Sequence, residues 1–213
     1  MIKQFNDFAT TKAYSAEGGF EQLPRGGYVC KILSAKIEEP NGKQMVKIAF
    51  DVLEGDYKGF FQKSYEEDTR EDKKWPISGT YALWVPLDDG SKEDGWTKRT
   101  LKTFTDALEE SNNGYHFDWD EQKFKGKSVG LIFNYKSYKT KENKFGMSPN
   151  VANACSVSAI RSGAFKVPDD KYIKGASKED VEAYINGKKD AVTSAVDNGF
   201  VNIPEGVADE LPF

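Results

Sequence analysis

The sequence predicts a mainly β protein of the α+β class, with five strands and one amphipathic helix. Three observations support this: runs of alternating apolar and polar residues, turn residues between these runs, and one stretch with helical spacing. The 213 residues suffice for one domain and an appendage. We expect four segments: an N-terminal segment 1–26, a main domain 27–168, a partly helical linker 169–204 and an acidic tail 205–213.

The first two strands form the clearest pair in the chain. Residues 28–38 alternate between two faces, and so do residues 44–55, where Val46, Ile48, Phe50 and Val52 share one face. The intervening Asn41-Gly42 is typical of a tight hairpin turn. A third strand is predicted at residues 58–65, KGFFQKSY.

Residues 66–96 are charged and rich in turn residues, apart from a short apolar island at 80–85, and we interpret them as an excursion from the core. A helix follows within 96–114, where three apolar residues have helical spacing and Asn112-Asn113-Gly114 forms the stop: Leu101, Phe104 and Leu108. Trp84 and Trp96 are flanked by apolar or helix-start residues, which favours positions in the core.

Two further strands complete the predicted domain. The fourth lies at 126–138, a loop spans 139–146, and the fifth lies at 147–160 with an interruption at Pro149. Beyond residue 168, Ser177 and Asp180 form a capping box for a short helix. Three strands, a helix and two strands are the layout of the oligonucleotide/oligosaccharide-binding (OB) fold, a five-stranded Greek-key barrel. Another small barrel or an open α+β sheet is the alternative.

The residue inventory leaves little for catalysis. His116 is the single histidine, and the two cysteines, Cys30 and Cys155, lie in apolar strand-like stretches that favour buried free thiols. No zinc spacing, phosphate-binding loop or nucleophile pattern occurs. We therefore expect no enzyme, no cofactor and no metal. A metal-dependent nuclease using Asp88-Asp89 or Asp118 and Asp120 stays open as an alternative, because one sequence cannot show whether acids converge.

The acidity of the chain belongs to its end. The formal net charge is −4, from 30 basic and 34 acidic residues. Five acids and no base lie from Asp190 onward, so residues 1–189 carry 30 bases and 29 acids. No apolar run approaches the length of a membrane helix, and the N-terminus lacks the pattern of an export signal. We expect a cytoplasmic protein that does not enter membranes.

An OB barrel binds nucleic acid strands by offering aromatic faces to bases and cations to phosphates. The predicted loop between the fourth and fifth strands interleaves both types: Lys136, Tyr138, Lys139, Lys141, Lys144 and Phe145. A second group combines bases with a tryptophan: Arg70, Lys73, Lys74 and Trp75. Three strand lysines could add to the track: Lys31, Lys47 and Lys63. The alternatives are a solvated hairpin tip, a tryptophan that pins the excursion to the core, and ordinary strand-surface lysines.

The chain ends on two acids followed by Leu-Pro-Phe, namely Asp209, Glu210, Leu211, Pro212 and Phe213. This end resembles the C-terminal tip of bacterial and phage single-stranded DNA-binding proteins, which has acids followed by Ile-Pro-Phe or Leu-Pro-Phe. Segments such as LPRGGYVCKI and FDVLEGDYKGFF are also similar to phage-encoded members, over much of residues 23–165. Two departures are the partly helical linker, where the family usually has a Gly/Gln/Pro-rich one, and a tip with only two acids.

The resemblance implies a protein that coats single-stranded DNA with little sequence preference. It also implies that the tip recruits replication, recombination and repair enzymes, because a phenylalanine ring and a terminal carboxylate can enter a basic-rimmed pocket. A phage-encoded protein would act in the host cytoplasm. The alternative from another class is an OB-like protein-interaction or virion component without nucleic-acid binding, for which charge would be spread evenly over the barrel. Homo-oligomer formation is left open.

Overall fold

The computed structural model describes residues 22–186 and contains a five-stranded sheet with the strand order β3-β2-β1-β4-β5. The strands are β1 (Gly26–Glu38), β2 (Met45–Val52), β3 (Thr80–Trp84), β4 (Ser128–Lys139) and β5 (Phe145–Cys155). The β1–β2, β1–β4 and β2–β3 pairs are antiparallel. Three α-helices accompany them, α1 (Phe60–Glu67), α2 (Lys92–Ser111) and α3 (Val157–Ser162). A further helix covers 178–186. The predicted mainly β, α+β class is confirmed.

The predicted hairpin between the first two strands is confirmed. Asn41 and Gly42 both have positive φ, 55° and 72°, which matches the twist that a tight hairpin requires. The Lys43 N–H donates to the Pro40 carbonyl at 3.2 Å. On β2, Val46, Ile48, Phe50 and Val52 are buried, as the alternation predicted.

The predicted third strand at 58–65 is wrong, because this segment contains helix α1. The Asp51 carboxylate of β2 accepts hydrogen bonds from the backbone N–H groups of Phe61 (2.9 Å) and Gln62 (3.2 Å). Those N–H groups lie in the first turn of α1, where the helix itself supplies no carbonyl acceptor. The third strand is instead β3, in the apolar island at 80–85 of the predicted excursion.

Helix α2 begins four residues earlier than the predicted segment, at Lys92. The Ser91 hydroxyl accepts a hydrogen bond from the Asp94 N–H at 3.1 Å and so caps the helix. At the other end, the Asn112 side chain donates to the carbonyls of Leu108 and Ser128, both at 2.8 Å. Its amide oxygen accepts from the Ser128 N–H at 3.0 Å. Asn112 therefore joins the end of α2 to the start of β4.

Strand β4 is covered on both faces, unlike a strand with one solvated side. Gly130 lies so close to α3 that an added Cβ would be 2.6 Å from Ile160 Cγ1 and 2.8 Å from the Cys155 carbonyl oxygen. Farther along, the Ser137 N–H donates to the Lys171 carbonyl, and the Lys171 N–H donates to the Tyr135 carbonyl, both at 2.9 Å. Residues beyond the predicted boundary at 168 thus hydrogen-bond to β4.

Aromatic rings dominate the core. Phe50 packs edge-on against Phe61 of α1 at a centroid distance of 5.5 Å, and Phe61 stacks with Phe133 of β4 at 6.4 Å. Both cysteines are free thiols, as predicted, but only Cys30 is buried and Cys155 is partly exposed. Burial raises the pKa of the Cys30 thiol well above its usual range. Pro149 does not interrupt β5, because β5 is last in the strand order and a proline is tolerated on such an edge.

The chain divides into two compact units, and residues 22–138 and 147–175 form the larger one. The described part of the smaller unit comprises 139–146 and 176–186. There, the Ser177 hydroxyl accepts from the Asp180 N–H at 3.1 Å, while the Asp180 carboxylate accepts from the Ser177 N–H at 3.0 Å. The predicted capping box is therefore confirmed.

Within 22–186, none of the helices combines the length and the apolar character that crossing a membrane would demand.

Candidate functional site

The sheet face opposite the core carries a row of side chains across three strands. Lys36 of β1 is the direct partner of Lys47 of β2, and Lys47 is the direct partner of Ala82 of β3. Residues directly opposite in an antiparallel pair present their side chains on the same face. Both lysines are exposed. We call Lys36, Lys47, Ala82 and the neighbouring Trp84 the outer row.

Lys47 has one ionic partner on this face. Its Nζ lies 3.1 Å from Oε1 of Glu38, and both side chains are nearly half exposed. For Lys36, the part of the chain that the structure describes offers no carboxylate within salt-bridge distance. Like charges directly opposite on a sheet destabilise it, so the arrangement favours a site for an anion.

A cleft of about 450 Å³ lies between β3 and the first half of α2. Ala82 and Trp84 line it from the strand, and the residues from the helix are Lys92, Glu93, Trp96, Thr97 and Thr100. The Trp84 residue is 42% exposed and Trp96 is 72% exposed, so the expectation that both lie in the core is wrong. Leu83 of β3 and Leu101 of α2 lie in the core instead, because β3 and α2 bury the faces opposite the two tryptophans.

Two other predicted strand lysines lie elsewhere in the larger unit. Lys31 is exposed on β1, opposite Asp51 of β2. Lys63 lies on helix α1, not on a strand, with its Nζ 3.8 Å from Glu67. The outer row therefore brings together only Lys47 of the three predicted strand lysines.

The predicted group around Trp75 forms local contacts. The Trp75 indole N–H donates to the Gly79 carbonyl at 2.9 Å, and its half-buried ring packs against the core. The Lys73 ammonium lies 4.7 Å from the Tyr65 ring centroid. Lys74 is exposed. These contacts favour the alternative in which Trp75 pins the segment to the core.

Arg70 is held by a carboxylate two residues away. Its guanidinium donates to Asp68, with Nε 2.9 Å from Oδ1 and Nη2 2.6 Å from Oδ2. These hydrogen bonds lower the pKa of Asp68 to about 2. A phosphate could accept hydrogen bonds from all the guanidinium N–H donors of Arg70 only if it displaced Asp68.

The predicted loop group is divided between the two units. Lys136 and Tyr138 are exposed residues of β4 in the larger unit. In the smaller unit, Lys139 and Lys141 are exposed and Phe145 is half-buried. There, Nζ of Lys144 lies 3.3 Å from Glu142 and 5.9 Å from the centroid of the Tyr184 ring.

Three of the four acids considered for metal binding form ion pairs with lysines, namely Asp88, Asp118 and Asp120, whereas the Asp89 carboxylate accepts a hydrogen bond from the Ser91 N–H at 2.9 Å. Lys98 contacts Asp88 and lies 2.9 Å from Asp94. Lys123 contacts Asp118. Among residues 22–186, no three His, Cys, Asp or Glu side chains come together in a group that could hold a metal ion.

Trp119 is the third strongly exposed tryptophan, at 78%. It lies in the loop between α2 and β4 and packs against Phe117 at a centroid distance of 5.1 Å. Its chain neighbours are Asp118 and Asp120, which would repel phosphate. Trp119 is therefore a natural reference for experiments on Trp84 and Trp96.

Sequence reasoning missed Lys36, Lys92, Trp84 and Trp96 as candidates. The signal available for Lys36 was its spacing from the Asn41-Gly42 turn, since a tight hairpin fixes which residues face each other. Nothing local indicated that α2 runs beside β3. The predicted tip, Asp209 to Phe213, lies outside the described residues, as do residues 1–21 and the end of the predicted linker.

Residues 9–84 match the model of a family described as "Protein of unknown function (DUF669)". The match includes β1, β2, α1 and β3. No curated protein matches the chain.

Proposed function

We propose that this protein binds single-stranded DNA with little sequence preference, through the outer row of an OB-type domain. The observation that carries the proposal is the direct pairing of Lys36 and Lys47 beside the exposed Trp84. Cations hold phosphates and aromatic rings stack on bases, and neither contact depends on sequence. The proposed protein is a phage- or bacterial-type coating protein without catalytic role or cofactor, acting in the cytoplasm.

The strand order supports an OB-type Greek key. β1 lies between β2 and β4, β3 follows β2, and α2 lies between the third and fourth strands in the chain, as in that fold. The register of β1 and β2 shifts between Ile32 and Ser34, and such irregularities bend a strand. A barrel would require β3 and β5, the two ends of the strand order, to meet. In OB folds the face of strands 2 and 3 binds ligands, and three of the four residues of the outer row belong to β2 and β3.

The ion pairs at several predicted contacts are compatible with this proposal. Lys47–Glu38, Lys63–Glu67 and Lys144–Glu142 join exposed side chains at 3.1 to 3.8 Å. Exposed pairs contribute only about 0–1 kcal/mol, so a phosphate can replace the carboxylate at small cost. Release of counterions from the DNA then favours binding, most strongly at low salt.

We further propose that the C-terminal tip recruits replication, recombination and repair enzymes. Its support is the sequence Asp209, Glu210, Leu211, Pro212 and Phe213, which offers an apolar anchor, a terminal carboxylate and acids for a basic rim. The phage or bacterial origin of such a protein and its assembly into a homo-oligomer belong to the same proposal.

Titration of tryptophan fluorescence with unlabelled oligonucleotides tests the proposal. We expect single strands to quench the emission more strongly than duplex of the same length, and affinity to fall as salt rises. If duplex quenches the emission as strongly as single strands do, or if the affinity does not change with salt concentration, the proposal is wrong and a protein-interaction or virion role is favoured. Incubation of the protein with labelled DNA and magnesium or manganese tests the nuclease alternative, because only a nuclease shortens the labelled strand.

A further inference from the structure

We propose that the cleft between β3 and α2 is a binding site for an unpaired nucleobase, which contacts the rings of Trp84 and Trp96. This inference rests on the proposed function and assigns the base-binding part of it. The tryptophans come from two elements, a sheet edge and a helix, and the cleft between them is open to solvent. Its volume of about 450 Å³ lies within the usual range of about 300–1,000 Å³ for small-ligand pockets.

The walls of the cleft suit a flat aromatic ligand. Ala82 has the smallest side chain of the lining residues, so a ring can approach the strand closely at this position. Thr97 and Thr100 stand one turn apart on α2 and add methyl groups and hydroxyls to the helix wall. Large apolar side chains that remain exposed together commonly mark a binding surface.

The charges around the cleft indicate which part of a nucleotide enters it. Glu93 lines the cleft and would repel a phosphate inside it. Lys92 lines the same wall, one residue earlier, and Lys47 is the direct strand partner of Ala82. A base in the cleft would therefore leave its phosphates near Lys92 and Lys47. Charge complementarity thus favours a nucleotide over an apolar peptide segment.

The spacing along the sheet agrees with one nucleotide at this position. Lys47 and Met45 are two residues apart on β2, opposite Ala82 and Trp84 respectively. Two residues of a strand span about 6.8 Å. A phosphate near Lys47 and a base near Trp84 therefore lie within the reach of a single nucleotide and its sugar.

This geometry accounts for selectivity toward single strands. The faces of bases in a duplex are covered by neighbouring base pairs, and only their edges face the grooves. A ring held between Trp84 and Trp96 must offer a face, which requires an unstacked base. A duplex could contact Lys36 and Lys47 by its phosphates but could not fill the cleft.

The test compares three tryptophan variants in the full-length chain. Trp84→Ala and Trp96→Ala should each weaken binding of oligo(dT) about 5- to 150-fold, the range for loss of one stacked base. Trp119→Ala is the matched control and should bind like the wild type. Most of the quenching should disappear in the double variant Trp84→Ala/Trp96→Ala and persist in Trp119→Ala.

Trp84→Phe separates binding from folding, because it keeps an aromatic ring at the position opposite Met45 and should restore most of the affinity. An abasic oligonucleotide of the same length separates base from backbone contacts. The wild type should bind it more weakly than oligo(dT), and the double variant should bind both strands alike.

Two outcomes overturn the inference while leaving the proposed function intact. One is wild-type affinity for oligo(dT) in both alanine variants. The other is a double variant whose affinity falls, relative to the wild type, by the same factor for the abasic strand as for oligo(dT). If the wild type binds no single strand at all, the proposed function fails together with it.

Discussion

The Asp51 carboxylate caps a helix that begins nine residues later in the chain. Its Oδ1 accepts hydrogen bonds from the N–H groups of Val52 (2.8 Å) and Phe61 (2.9 Å), and Oδ2 accepts from Gln62 at 3.2 Å. Only 9% of Asp51 is exposed. A single side chain of β2 thus satisfies the first turn of α1 and places Phe61 in the core.

Replacement Asp51→Asn should lower the free energy of unfolding by about 1–3 kcal/mol, because the amide NH₂ cannot accept and leaves at least one of the backbone N–H groups that Asp51 binds without its acceptor. Urea denaturation followed by circular dichroism measures the loss. The exposed Asp56→Asn is the control and should leave the midpoint within experimental error. Equal midpoints for both variants would show that the Asp51 cap contributes nothing to stability.

Gly130→Ala should destabilise the protein by about 1–3 kcal/mol, the usual cost of inserting a methyl group into a packed site. The added Cβ would approach Ile160 and two backbone carbonyl oxygens to within 3 Å, and the carbonyls cannot move without shifting the start of α3. Gly95→Ala is the matched control on α2, since its Cβ would meet nothing within 4 Å. That variant should gain about 0.5–1 kcal/mol from helix propensity. The thermal midpoints of the two variants should therefore move in opposite directions, and a shared direction would contradict the packing argument.

Stability should fall at alkaline pH because of Tyr81. Burial raises the pKa of its phenol to about 12, whereas an unfolded tyrosine titrates near 10. Between these pH values the unfolded chain releases a proton that the folded chain keeps, so rising pH favours unfolding by up to about 3 kcal/mol.

Urea midpoints measured across this pH window test the Tyr81 prediction. Tyr81→Phe should reduce the dependence, and the remainder belongs to the other groups whose pKa burial raises. These groups are Tyr28, with a pKa of about 12, and Cys30, Tyr115, Tyr135 and Cys155. A Tyr81→Phe variant with the full wild-type slope would exclude Tyr81 as a cause.

The double variant Lys36→Ala/Lys47→Ala should weaken single-strand binding and reduce its salt dependence. Each lost phosphate contact lowers the slope of log affinity against log salt by about 0.7 for single strands, so a reduction of about 1.4 is expected. Fluorescence titration at several salt concentrations measures it. Lys102→Ala/Lys123→Ala removes the same charge from lysines paired with Asp106 and Asp118 and is the control. If both double variants change the slope equally, net charge rather than the outer row governs binding.

Deletion of residues 207–213 should strengthen DNA binding slightly and abolish partner binding. The deletion removes Asp209 and Glu210, whose charges would compete with phosphate for basic side chains, together with the proposed anchor Phe213. Phe213→Ala separates the two effects, because it keeps both acids and should lose only the partner. Oligonucleotide titration and co-purification of host replication, recombination and repair enzymes measure the two results. Unchanged values for both would count against the tip.

Patterns within the sequence correctly predicted those elements that are specified by residues close together in the chain. The β1–β2 hairpin, helix α2 and strand β4 follow from alternation, helical spacing and turn residues that act within a few positions. The segment KGFFQKSY has apolar residues that suit a strand as well as a helix. Its helix is selected by Asp51, which belongs to β2, and a pattern within the segment carries no trace of that contact.

The candidate site was less predictable because it combines faces of separate elements. Lys47 was found since strand lysines are visible in an alternating pattern. Trp84 and Trp96 were assigned to the core because apolar or helix-start residues flank them, but β3 and α2 already bury Leu83 and Leu101 on their other faces. Which face of an edge strand stays open depends on what packs beside it, and that is a property of the tertiary structure.

Asn112 and Asp94 give the tryptophan cleft a mechanical property. One wall belongs to the sheet, and the other is helix α2. The Asp94 carboxylate, in the first turn of α2, accepts a hydrogen bond from the Asp88 N–H of the segment after β3, and the Asn112 side chain joins the end of the helix to β4. An outward movement of this wall would break hydrogen bonds at both ends of the helix. The proposed base would therefore meet a preformed surface, and little ordering entropy would oppose its binding.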